Sequence, residues 1–212
     1  PDAAIRFGIR RMLQQRSRGL LAGGCEVQQR RRRDFVHSCQ QEPVAALPEK
    51  ANEQHYEVPP DFFSHVLGTH RKYSCCYWRD GVTDINAAEA AALALTCERA
   101  QLCDGQSVLE LGCGWGSLSL WMASRHPRSH ITAVSNSLLQ REFIEQKAQI
   151  VKSGNHAVVT ADKNTLSATE KCDRVVSVGM FEHMGNHQEL LRRISKWLGP
   201  DGLVFVHVFC HR

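Results

Sequence analysis

The sequence contains no apolar run of the roughly 20 residues that a membrane-spanning helix requires. Its longest apolar run, Gly202–Cys210, is interrupted by His207, and we interpret it as a buried strand. Nine cysteines are present, but their spacings include no CxxC pair or other zinc pattern, and an odd number argues against a complete disulfide framework. We therefore expect reduced thiols, a cytoplasmic location and no bound metal.

The amino-terminal segment lacks the uninterrupted apolar core of a secretory signal, because arginines are distributed throughout it. The chain also starts at Pro1 without a methionine, and we expect that a segment is missing. Pro1–Arg33 has nine basic and two acidic residues, whereas the remaining residues sum to a charge of −3. The formal net charge of +4 therefore combines a basic leader with a nearly neutral body.

The composition, with 42% hydrophobic and 23% charged residues over 212 positions, suits a globular domain and excludes disorder over the full length. In the leader, apolar side chains recur at helical spacing between Ile5 and Leu13. We favour a packing helix with solvated arginines; a flap over a substrate site, an anchor on an anionic membrane and a targeting segment are the alternatives. Arg30–Arg33 lacks interleaved aromatic residues, so we expect no nucleic-acid partner.

From Ser107 onward, predicted strands and helices alternate, which is typical of an α/β protein with a parallel sheet. The predicted strands are Ser107–Cys113, His130–Asn136, His156–Asp162, Cys172–Gly179 and Leu203–Phe209, with a turn at Gly199–Gly202 before the last. The predicted helices are Ser117–Arg125, Ser137–Val151 and His187–Leu198. Right-handed crossovers would give a doubly wound, Rossmann-like sheet that binds ligands beyond the carboxyl ends of its strands.

The four prolines at positions 43, 48, 59 and 60 mark a linker before this alternating region. We therefore divide the chain into a basic helical extension with its linker, residues 1–50, and an α/β domain, residues 51–212.

The segment Val108–Ser117 passes from an apolar strand into closely spaced glycines and then into a predicted helix. Glycine permits positive φ and lets a ligand approach the backbone. A dinucleotide fingerprint requires glycine where Ser117 stands and an acid at the end of the second strand, which is absent. A P-loop requires a lysine that this loop lacks. Dinucleotide and nucleoside triphosphate binding are thus disfavoured, and an ordinary glycine-rich turn remains the alternative to a ligand site.

The pattern Glu110-x-Gly112-x-Gly114-x-Gly116 resembles motif I of the Rossmann-like methyltransferases that use S-adenosylmethionine (SAM). Further motifs resemble the cyclopropane-fatty-acyl-phospholipid synthase superfamily and, within it, the coclaurine N-methyltransferases. These motifs are His55–Phe63, Tyr73–Trp78, Val134–Gln140 and Gly179–Met184. The resemblance extends from Ile5 to the C-terminus, and it implies a methyltransferase that moves a methyl group from SAM to a small-molecule amine.

The resemblance also implies positions for the parts of SAM. Tyr73 and Ser74 would contact its methionine portion. Gly112 and Gly114 would line that portion, Asn136 and Gln140 would lie at the ribose, and Asp162 would lie beside the adenine. Each of these side chains could instead have a surface or capping role.

For Glu110 and Gln140 the residue type and its spacing suggest a role apart from the resemblance. Glu110 can bind the cationic end of SAM through hydrogen bonds or water. Gln140 stands three residues after Ser137, which fits a capping box at the start of a helix.

Methyl transfer from a sulfonium is an in-line displacement, so the protein must align the acceptor and remove its proton. Glu182 and His183 follow the fourth predicted strand, and the resemblance implies that both are catalytic. Either can accept a proton from an ammonium substrate, and the carboxylate attracts the cation. A structural role at a helix N-terminus is the alternative. The alkaloid enzymes have an additional Glu where this chain has Gly179, which weakens the case for an alkaloid substrate.

The lipid cyclopropane synthases use a bound bicarbonate as base, held by residues that match Cys75, Glu182 and His207 and by a tyrosine that would lie beyond Arg212. Methylene transfer to an unsaturated lipid, with membrane contact through the basic leader, is therefore an alternative function. Cys75 could instead be a small buried residue and His207 a core histidine. A catalytically silent SAM-binding or interaction module is a third alternative.

A complete sheet of this family has further strands after the fifth, whereas this chain ends at Arg212. We therefore expect a truncated form with an uncovered sheet edge, weak SAM binding and poor turnover. The identity of the methyl acceptor and the oligomeric state do not follow from the sequence.

Overall fold

The computed structural model describes residues 1–45, 59–150, 154–161, 164, 166 and 170–210. The chain divides into two compact units, Pro1–Glu42 and Pro43–Arg212. The predicted boundary after residue 50 lies outside the described residues. Val44 and Ala45, which the prediction assigned to the extension, are buried in the core of the second unit.

The first unit is a pair of helices, α1 (Asp2–Leu21) and α2 (Gly24–Gln41). A guanidinium nitrogen of Arg31 donates to the carbonyl oxygens of Gly19 and Ala22, at 2.8 and 3.1 Å, and these bonds tie the two helices together. The helix predicted over Ile5–Leu13 is therefore present and longer than expected. No residue of either helix is buried, so this unit by itself does not provide the packing contacts that we expected for the apolar face.

The second unit contains a five-stranded sheet. Its strands are β1 (Ser107–Leu111), β2 (His130–Ser135), β3 (His156–Thr160), β4 (Cys172–Val178) and β5 (Leu198–His207). Its helices are α3 (Pro60–Val66), α4 (Ile85–Arg99), α5 (Ser117–Arg125), α6 (Leu138–Ile150) and α7 (His187–Trp197). All strands are parallel, in the order β3-β2-β1-β4-β5. The predicted doubly wound, Rossmann-like α/β fold is confirmed.

The central strand β1 is buried on both faces, as a parallel sheet covered by helices requires. Val108 belongs to a core cluster with residues of α4 and α5, whereas Leu109 belongs to a cluster with residues of α7. Successive side chains of a strand point to opposite faces, so these two neighbours anchor two different helix layers. No helix in the described part of the chain combines the length and apolar character that crossing a membrane would demand.

The strand ends differ from the predicted ones because the backbone changes conformation there. Gly112 and Gly179 follow β1 and β4 with φ of 79° and 66°, which are left-handed values that end the extended chain. β5 begins at Leu198, earlier than predicted. Its pairing jumps from Cys172–Leu198 to Arg174–Leu203, so the predicted turn is a bulge between these pairs.

Three helices were not predicted: α2, α3 and α4. The linker interpretation is wrong for Pro60, which is the first residue of α3, a position where proline's missing N–H costs nothing. α4 begins with a clear capping signal, because the Asp84 carboxylate accepts the N–H groups of Asn86 and Ala87 at 2.9 and 3.0 Å.

Candidate ligand cavity and active site

A cavity of about 240 Å³ lies where β1, β2 and β4 end. Open parallel sheets bind ligands at this carboxyl end of their strands. Eight residues predicted from the sequence line it: Tyr73, Ser74, Glu110, Gly112, Gly114, Asn136, Gln140 and His183. The fold therefore brings most of the predicted site together from segments that are far apart in the chain.

The glycine loop after β1 has two tight positions and one open position. A Cβ on Gly112 would lie 3.0 Å from Met180 Cβ, and a Cβ on Gly116 would lie 2.7 Å from Ile144 Cγ1. Gly114, with φ of 53°, has no atom within 4 Å of the position that its Cβ would take. Gly112 and Gly116 thus allow close packing, whereas Gly114 leaves free space beside a cavity that it lines.

Four buried polar atoms of lining residues have no hydrogen-bond partner in the described structure. They are Glu110 Oε2, Trp115 Nε1, Ser117 Oγ and Gln140 Nε2. Leaving such a group unsatisfied costs about 1–3 kcal/mol, so native proteins rarely retain one without a partner. All four belong to residues that line one cavity, which favours a ligand that offers several hydrogen-bonding groups there.

Gln140 has only half of the predicted capping box. Its N–H donates to Ser137 Oγ at 3.4 Å, but its side-chain oxygen accepts from Ser135 Oγ at 2.8 Å and does not return to Ser137. This bond orients the amide, and the unpartnered Nε2 remains as a donor on a residue that lines the cavity.

Glu110 is a buried carboxyl, with 3% of its surface exposed. Burial raises its pKa to about 8, and a hydrogen bond from Ser119 and the positive charge of Lys72 oppose that rise. Near neutral pH much of Glu110 is therefore protonated. A cationic ligand group at its free oxygen would favour the charged form.

Glu182 and His183 lie together in a short 3-10 turn, Phe181–His183, after β4, but they are placed differently. His183 lines the cavity, whereas Glu182 does not. The Glu182 carboxylate is exposed and accepts the N–H of Phe209 at 2.7 Å. Both residues are exposed, and of the predicted pair His183 is the one that lines the cavity.

The other predicted site residues lie outside this cavity. Cys75 and His207 are exposed and do not line it, so the alternative of a buried core role is wrong for both. The backbone of His207 is joined to the site, because its carbonyl oxygen accepts the N–H of Gly179 at 2.9 Å. Asp162 lies outside the described residues. Within the part of the chain that is described, no three His, Cys, Asp or Glu side chains converge as metal ligands.

Two important residues escaped prediction. Lys72 lines the cavity with 4% of its surface exposed, and Glu89 is fully buried. Glu89 accepts the N–H groups of Gly68, His70 and Lys72 at 2.9, 2.9 and 3.1 Å, and so holds the loop that carries Tyr73 and Ser74. The available signal was an acid flanked on both sides by alanines in this helix.

The model of the mycolic acid cyclopropane synthetase family matches residues 46–212. The chain is 42% identical to (S)-coclaurine N-methyltransferase of Thalictrum flavum subsp. glaucum over 216 residues. That match covers 100% of this chain and 59% of the relative, so the chain spans little more than half of that protein's length.

Solved structures give a consistent picture. The structure of coclaurine N-methyltransferase bound to N-methylheliamine and S-adenosylhomocysteine (SAH) matches with a TM-score of 0.93 and 40% identity. It covers 98% of this chain and 60% of that protein. A mycolic acid cyclopropane synthase complexed with SAH and CTAB matches with a TM-score of 0.65 and 26% identity, over 75% of this chain and 56% of that protein.

Proposed function

The chain belongs to the mycolic acid cyclopropane synthetase family, and we propose that it binds SAM in the cavity beyond β1 and transfers the methyl group to a small-molecule amine. The observation that carries this proposal is the group of four unpartnered polar atoms around the glycine loop. The 42% identity to an N-methyltransferase supports the amine as acceptor.

The residues present fit the groups of SAM. Tyr73 and Ser74 would hold its methionine portion beside the glycine loop. Asn136 and Gln140 would hold the ribose, and the unpartnered Nε2 of Gln140 supplies a donor there. Asp162 beside the adenine remains a prediction.

Bound SAM would supply an electrophilic methyl group. This chain's own contribution is to position the acceptor and remove its proton. His183 lines the cavity, and we assign it the role of proton acceptor. Glu182 is exposed next to it and would attract a cationic acceptor to the site.

Methylene transfer to an unsaturated lipid is the second candidate, and the family match favours it. In that reaction Cys75, Glu182 and His207 would hold bicarbonate. All three are exposed, and none lines the cavity, so the amine reaction has the stronger support from this structure.

The cofactor site is tested by Gly114→Ala with Gly105→Ala as its control. Both glycines have left-handed φ and open space at the Cβ position, so both variants carry a backbone cost of about 1–2 kcal/mol. Only Gly114 lines the cavity. Overpacking costs about 1–3 kcal/mol, so we expect Gly114→Ala to weaken SAH binding roughly 5- to 150-fold in calorimetry. Equal SAH affinity in the two variants would place the ligand elsewhere.

The acceptor is tested with methyl-labelled SAM offered to a pool of small amines and to phospholipid vesicles. Label in the amine pool supports the proposal, and label in the lipid pool supports methylene transfer. SAH binding without label in either pool would favour a silent SAM-binding module.

We also propose that the first unit contacts anionic membranes as a peripheral partner, and that the protein is cytoplasmic. Pro1–Glu42 has nine basic and four acidic residues. Ile5, Ile9 and Leu13 lie on one helical face and are at least half exposed. A basic amphipathic helix of this kind suits the surface of an anionic bilayer. All nine cysteines are free thiols, which agrees with a reducing compartment.

We expect the chain to sediment with vesicles containing phosphatidylglycerol and to be released by high salt, because surface charges are screened. Leu13→Ser should reduce this binding. Leu21→Ser, on another side of the helix, should not. Equal sedimentation with neutral phosphatidylcholine vesicles would contradict an electrostatic anchor.

A further inference from the structure

Lys72 is a buried lysine inside the cavity wall. Only 4% of its surface is exposed, although lysine is almost never fully buried unless it is paired. Its ammonium donates to Ser74 Oγ at 2.5 Å, and this is its one side-chain hydrogen bond to a described residue. An ammonium has three donors, so two of them are available to a ligand in the cavity that Lys72 lines.

The backbone at Lys72 is held in place by several contacts and by an uncommon backbone conformation. Glu89 accepts its backbone N–H at 3.1 Å, together with the N–H groups of Gly68 and His70. Gly68 leaves room for this carboxylate, because a Cβ there would lie 2.6 Å from Glu89 Oε2. The residue before Lys72, Arg71, has a φ of 49°, an uncommon value for a residue other than glycine. These features fix the backbone from which the lysine side chain starts.

No described carboxylate forms an ion pair with Lys72, although two acids are near enough to influence its charge, Glu89 and Glu110. Glu89 is already engaged by three backbone N–H groups. Glu110 keeps one oxygen without a partner. The cavity wall therefore offers a free cationic donor and a free acceptor at the same time.

We propose that Lys72 binds the carboxylate at the amino-acid end of SAM, while the free oxygen of Glu110 accepts from the ammonium on the same carbon. The inference rests on the proposed function, which it extends by assigning the recognition of the zwitterion to this pair. Lys72 would also orient the Ser74 hydroxyl, because its ammonium occupies the oxygen and leaves the O–H free to donate.

The test compares SAH with methylthioadenosine, which lacks both the carboxylate and the ammonium. Lys72→Met keeps a long unbranched side chain and removes the charge. We expect it to weaken SAH binding about 10- to 100-fold in calorimetry, as the loss of a charge-assisted hydrogen bond implies. Methylthioadenosine should bind both proteins within roughly twofold. Lys196→Met removes a charge from an exposed helix position and should change neither affinity.

Other outcomes are equally informative. Equal weakening of SAH and methylthioadenosine would show a general loss of the cavity and would overturn the role of Lys72. A wild-type chain that binds neither compound would refute the proposed function itself. Should Lys72→Met fail to fold, the wild-type chain still provides a test, because it should bind SAH at least about tenfold more tightly than decarboxylated SAH. Equal affinity for these two compounds would overturn the proposal.

Discussion

Glu110→Gln should remove a loss of stability that the ligand-free chain suffers as the pH rises from 4.5 to about 8. The pKa of Glu110 rises from its ordinary value of 4.5 to about 8, because the carboxyl is buried. Between these values the folded chain holds a proton that the unfolded chain has released. Stability therefore falls with rising pH through this window and levels off above it. Glutamine, which carries no charge, has no such dependence.

The expected difference is large. Each pKa unit corresponds to about 1.4 kcal/mol, so a shift of this size implies several kcal/mol at pH 8 and almost nothing at pH 4.5. Urea unfolding of both proteins at pH 5 and pH 8 measures it. Glu98→Gln, at an exposed position of α4, is the control and should follow the wild type. Parallel pH profiles for Glu110→Gln and the wild type would mean that Glu110 is charged and solvated in the folded chain.

His183→Ala should lower methyl transfer by about 100- to 10,000-fold, the usual contribution of a general base. His183 lines the cavity, and as the proposed proton acceptor its loss should affect the chemical step and leave SAH affinity nearly unchanged. Rates are compared with those of the unaltered chain in the labelled-SAM assay. His130→Ala, at the exposed start of β2 and therefore at the end of the strands away from the cavity, is the matched control.

Glu182→Gln should have a weaker effect than His183→Ala. Its carboxylate is exposed and held by the N–H of Phe209, so it contributes mainly to the attraction of a cationic acceptor. We expect a higher KM for the amine and a smaller loss of kcat. A large loss of kcat in Glu182→Gln, together with a nearly unchanged kcat in His183→Ala, would instead make Glu182 the proton acceptor.

The sheet was accessible from the sequence because its signals are local. Apolar runs such as Val108–Leu111 indicate strands buried on both faces, and closely spaced glycines show where the chain must turn. The helices α3 and α4 escaped although each begins with a recognisable signal. Pro60 was interpreted as part of a linker, and the cap at Asp84 was not recognised.

The sequence by itself determined the parallel α/β architecture, the glycine loop and eight of the residues that line the cavity, since each depends on a short motif. Only the tertiary structure decided which groups share the cavity and in what state. It placed His183 but not Glu182 at the cavity, and it left Cys75 exposed. It also buried Lys72 in a loop held by Glu89, which lies 17 residues away. The reason is physical: burial and hydrogen-bond partners are set by segments distant in the chain, and no local pattern records them.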